Sequence, residues 1–82
     1  MNKILIGYKL NSPGKIYRPL YDYVESFEKR EKGLRSQWIV WTDKTASRVM
    51  DELVSLVDSN DQIFVIDISS AETERFNMPI AA

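Results

Sequence analysis

Residues 29–42 read Lys-Arg-Glu-Lys-Gly-Leu-Arg-Ser-Gln-Trp-Ile-Val-Trp-Thr, and the fold turns on how the first six are read. Gln37 to Thr42 is rich in aromatic and β-branched residues and predicts a strand. Lys29 to Leu34 could prolong a preceding helix or form a short charged strand. Lys-rich strands are what sheets place at their edges, where charge discourages pairing with another chain. Gly33 to Ser36 supplies a turn between the two segments. Read this way, the stretch is a hairpin whose first strand is an edge.

Upstream, residues 3–10 predict a strand. Ile4, Ile6, Tyr8 and Leu10 share one face, and Lys3, Leu5, Gly7 and Lys9 share the other. Asn11-Ser12-Pro13-Gly14 ends it with turn residues. Residues 16–28 predict a helix, with Tyr17, Leu20, Tyr21, Val24 and Phe27 in one apolar stripe. Pro19 falls in its first turn, where the missing N–H does no harm.

Downstream, Thr45 is placed to cap a helix over 46–57. Its stripe is Ala46, Val49, Met50, Leu53, Leu56 and Val57. Asp58 to Asp61 is a turn, and 62–68 is a last strand. The order strand-helix-strand-strand-helix-strand is the split pattern of the ferredoxin-like fold. The expected class is α+β: a four-stranded antiparallel sheet with two helices on one face. Residues 1–68 form the single domain. Residues 69–82 form a C-terminal tail, polar except for Phe76, Met78, Pro79 and Ile80.

A chain of 82 residues makes one domain with a modest core. It has no cysteine, which excludes disulfides and thiolate metal sites, and no histidine, the commonest general base. No cofactor or metal is expected. No apolar run approaches the ~20 residues that cross a bilayer. A soluble, cytoplasmic protein with no membrane partner is the expectation. Charge is near balance overall, but residues 1–50 hold ten Lys/Arg against five Asp/Glu, and residues 51–82 hold one Arg against seven Asp/Glu.

The strands carry apolar groups on both faces, yet two helices cover only one. The polar residues within the strands suggest which face stays open: Lys9 shares it with Leu5 and Gly7, Gln37 with Ile39 and Trp41, and Asp67 with Ile63 and Val65. The expected open patch is therefore Leu5, Ile39, Trp41, Ile63 and Val65, with Trp41 as its anchor. A second copy of the chain would cover it, giving a homodimer. The alternative cover is the tail, through Phe76, Met78 and Ile80, on its own sheet or a partner's.

Other features have plainer readings. Gly14-Lys15 lacks the glycine spacing and the following Ser/Thr of a phosphate loop. Asp58 and Asp61 lack the spacing of a calcium loop and suit a turn. Lys9, Lys15, Arg18, Arg30 and Arg35 could contact phosphates, with Tyr17 or Trp41 stacking on bases. Charged edge strands produce the same composition.

Ile6-Gly7-Tyr8-Lys9-Leu10-Asn11-Ser12-Pro13-Gly14 resembles the opening strand and Pro-Gly loop of the SinR-like family of small bacterial and phage proteins. Ser36-Gln37-Trp38-Ile39-Val40-Trp41-Thr42 resembles its Ser-x-Trp strand, and Asp58-Ser59-Asn60-Asp61 its last turn. That family is similar in fold to the CRISPR-associated protein two family and the VapD endoribonucleases. The resemblance implies a ferredoxin-like homodimer. It also implies a metal-binding Asp directly after the Tyr that ends the first strand. Lys9 stands there, and a cation does not ligate Mg²⁺, so no catalytic residue carries over. The expected function is a non-catalytic homodimer that binds another macromolecule, including a protein partner. The alternative is a nucleic-acid binder or a degenerate metal-dependent nuclease.

Overall fold

The computed structural model describes residues 1–11, 17–74 and 76. Alternating side chains, two apolar helical stripes and a Gly-containing hairpin fold into β1 (Asn2–Lys9), α1 (Arg18–Glu25), β2 (Lys29–Lys32), β3 (Gln37–Thr42), α2 (Ala46–Val54) and β4 (Gln62–Asp67). The strands form one antiparallel sheet in the order β2-β3-β1-β4. This is the ferredoxin-like α+β arrangement. The two apolar strands β1 and β3 are central, and charged β2 is an edge.

The core lies between the sheet and the two helices. Ile4, Ile6 and Val40 meet Leu20, Val24 and Phe27 on one side and Val49 and Leu53 on the other. Each such side chain contributes about 1.5–3 kcal/mol when fully buried. Both helices stop sooner than their stripes predict. The Ser26 and Leu56 amides bond back three residues, to Tyr23 and Leu53. These tighter turns satisfy carbonyls that a longer α-helix would use. At the start of α2, the Thr45 hydroxyl accepts from the Arg48 amide at 3.1 Å, as expected of the cap.

The stripe of α1 also differs from expectation. Tyr21 is 41% exposed. Tyr23 turns inward instead, its ring edge-on to Phe27 at 5.3 Å. A phenol can do this because its hydroxyl has a partner, Glu52 on α2, at 2.7 Å.

The larger correction concerns β4, which has the opposite phase from the one expected. Ile6 pairs with Val65 and Tyr8 with Ile63, so Val65 and Ile63 share the helix side with them. Both pack against the core. Phe64 and Ile66 emerge on the open face, 61% and 41% exposed. Asp67 suggested the wrong phase because it is not a rim residue of the open face. It ends the strand, opposite Ile4, and accepts from the Ser69 amide at 2.9 Å. The Ser69 hydroxyl and then its amide hold the Asp67 carboxyl below its ordinary value.

Candidate interaction face

Strand register places the open-face residues in rows. Lys29, Trp41 and Lys3 form one row, and Glu31, Ile39, Leu5 and Ile66 the next. Gln37, Gly7 and Phe64 form a third, and Lys9 pairs with Gln62 beyond it. The apolar patch is thus Leu5, Ile39, Trp41, Phe64 and Ile66. Three of the five expected residues belong to it. Ile63 and Val65 are replaced by their neighbours in the chain.

Trp41 lies between two lysines. Lys29 Nζ sits 4.6 Å from its ring centre and Lys3 Nζ 5.8 Å. Both ammonium groups interact with the indole face and shield it from water. Ile39, in the middle of the patch, is only 6% exposed. Phe64 stands highest, so it, rather than Trp41, is the accessible anchor.

The start of the tail meets one corner of this face. The Ile68 amide bonds to the Lys3 carbonyl at 2.7 Å, extending the β1–β4 ladder by one step. The Lys3 amide then donates to the Ser69 hydroxyl at 3.0 Å, and Lys3 Nζ donates to the Thr73 hydroxyl at 2.8 Å. Phe76 is 85% exposed. Met78 and Ile80 lie outside the described residues.

At the opposite end, a shallow groove of about 920 Å³ runs over Gly7. Leu34 and Phe64 are among its apolar lining residues, and Lys9 and Arg35 among its charged ones. A Cβ built on Gly7 would meet only Gln37 and Phe64, each at 4.0 Å. Gly7 therefore leaves open space that the fold does not require.

The expected phosphate contacts do not form one surface. Lys9 and Arg35 converge on grooves at the end of the sheet. Arg18 pairs with Asp22 along α1 at 3.0 Å. Arg30 shares the helix side with Val40 and donates to the Phe27 carbonyl at 2.9 Å. Lys15 lies outside the described residues. The Tyr17 ring is 7% exposed and its hydroxyl donates to Asp61 at 2.8 Å, so it is no base platform. Asp61 also accepts from the Asn11 and Asp58 amides at 2.7 and 2.8 Å. It joins the end of β1 to the turn before β4, in agreement with the turn reading.

A strongly perturbed pair, Glu52 and Tyr23, lies between the helices. Lys44 at 2.6 Å, Tyr23 at 2.7 Å and Arg48 at 2.9 Å all donate to Glu52. These bonds, Lys44 first, hold its carboxyl at about 2. Burial, then Glu52 itself, pushes the Tyr23 phenol far above its ordinary value. A carboxylate bonded by three donors and a phenol held protonated make a brace, not an acid–base pair. Among the described residues, no three His, Cys, Asp or Glu come together as a metal site would need. No helix among them is long and apolar enough to cross a membrane.

No family model, curated protein or solved structure matches this chain.

Proposed function

We propose that this chain is a non-catalytic interaction module that acts as a homodimer through its open sheet face. The dimer then presents its remaining surface to another macromolecule. The observation that carries this reading is the exposure of Phe64 and Ile66 beside Leu5, Ile39 and Trp41 on a face without helices. Contiguous apolar area of this kind marks interaction sites. A second copy fits because the face carries both charge signs side by side, Lys29 and Glu31 on β2 with Lys3 on β1. A two-fold interface places the same patch against itself, and a patch of mixed sign can be self-complementary. The sequence resemblance to ferredoxin-like homodimers supports the same assembly. Lys9 in the position of a catalytic Asp supports the non-catalytic part.

Light scattering coupled to size exclusion tests the reading. Wild-type protein at micromolar concentration is expected to have twice the chain mass, and Phe64→Glu the mass of one chain with unchanged circular dichroism. A wild-type monomer at that concentration overturns the proposal.

A further inference from the structure

A second groove, of about 530 Å³, opens at the end of the sheet, towards the helix side of the edge strand. Three cations reach it from separate parts of the chain: Lys9 at the end of β1, Lys32 at the end of β2, and Arg35 in the hairpin turn. The fold builds this convergence. The Tyr8 amide bonds to the Ser36 carbonyl at 3.1 Å, which seats the hairpin turn beside Lys9. Lys32 Nζ donates to the Arg35 carbonyl at 2.8 Å and lies 4.6 Å from the Trp38 ring centre, which fixes its head at the groove. Tyr8 and Tyr21 are also in the lining, their rings edge-on at 6.4 Å.

The chemistry of the lining is one-sided. Its charged side chains are two ammonium groups and one guanidinium. Its remaining polar side chains are hydroxyls, from Ser36, Tyr8 and Tyr21. Among the described residues, no carboxylate lines the groove. Three like charges around one concavity repel each other, and a multiply charged oxyanion removes that cost. Lysine and arginine suit an acceptor-only group with several oxygens. Partial burial lowers the Lys32 ammonium below its ordinary value.

We propose that the Lys9–Lys32–Arg35 groove is a binding site for phosphate carrying at least two negative charges, as a phosphomonoester or as successive phosphodiesters of one strand. The site lies at the end of the sheet, and its Lys9 and Arg35 also line the groove over Gly7 on the open face. The phosphate could come from a small phosphorylated metabolite or a nucleic-acid strand, and both share this chemistry.

Titration of isotope-labelled protein with pyrophosphate, followed by amide and side-chain NMR shifts, tests the site. Saturable shifts should localise to Lys9, Leu10, Arg35 and Ser36. Arg35→Gln and Lys9→Gln should each weaken binding by about tenfold, the size of one lost charge-assisted bond. Arg18→Gln, on a cation already paired along α1, should leave it unchanged. No shifts at millimolar pyrophosphate, or equal shifts at all surface cations, overturn the proposal. Parallel titrations with a mononucleotide and a short single-stranded oligonucleotide distinguish the sources. A strand ligand binds far more tightly than the mononucleotide and weakens steeply with salt; a metabolite ligand shows no such gain.

Discussion

Ile63 and Phe64 are adjacent and both apolar, yet they face opposite sides of the sheet. Their truncations should separate cleanly. Ile63→Ala, on the core side, should lower stability by about 1–2 kcal/mol, below the range for fully buried residues because Ile63 is only half-buried. Phe64→Ala should change monomer stability by about 0.5 kcal/mol or less. Urea unfolding midpoints of dilute protein check both. The sequence could not phase Ile63-Phe64-Val65-Ile66 because four apolar residues in a row carry no alternation. The polar ends of that strand disagree: Gln62 is in phase with Phe64 and Ile66, whereas Asp67, the marker followed, is in phase with Ile63 and Val65. Lys9 and Gln37 lie on the open face, and they phased β1 and β3 correctly. Glu52 supplies a second test at this scale. Its carboxyl titrates at about 2 in the fold, below an unfolded value near 4.3. Its contribution is therefore fully present above that unfolded value and disappears as pH falls towards 2. Thermal melts of wild type should drop across that window, and Glu52→Gln should be less stable at neutral pH with a flatter acid limb.

The hairpin of β2 and β3 shows what local signals can and cannot decide. Its edge position was legible from charge alone, because Lys29 to Lys32 would be costly in a central strand. The way its turn is held was not. Gly33 donates to the Gln37 carbonyl at 2.9 Å, and a Cβ on Gly33 would lie 2.9 Å from the Gln37 Cβ. The two segments approach too closely there for any side chain. Gly33→Ala should therefore destabilise the hairpin by about 1–3 kcal/mol through overpacking, read as a lower melting temperature and faster amide exchange in β2. The Thr45 cap was visible in sequence because capping is local chemistry. Thr45→Ala should cost about 1 kcal/mol. Tyr23 was missed because its inward turn depends on Glu52, a residue of another helix that no local pattern reveals.

At the scale of the molecule, β2 and β4 are edges of opposite character. One is lined with charge and the other carries Phe64 and Ile66. Charge on β2 opposes uncontrolled stacking while the apolar side stays available, which favours a closed pair over an open chain of copies. Phe64→Glu should thus remove association without unfolding, whereas Ile63→Glu should reduce soluble yield. The two ends of the open face are also unlike: lysines and the tail gather at one, and a bare strand floor lies at the other. Gly7 has the further property that folding asks nothing of it. Larger side chains placed there form an internal ruler. Gly7→Ala, Gly7→Val and Gly7→Leu fill the hollow stepwise from below, while the protein around it keeps its register. The step at which self-association begins to weaken would report how far a neighbouring molecule reaches into that hollow, a depth gauge built from one position of the chain.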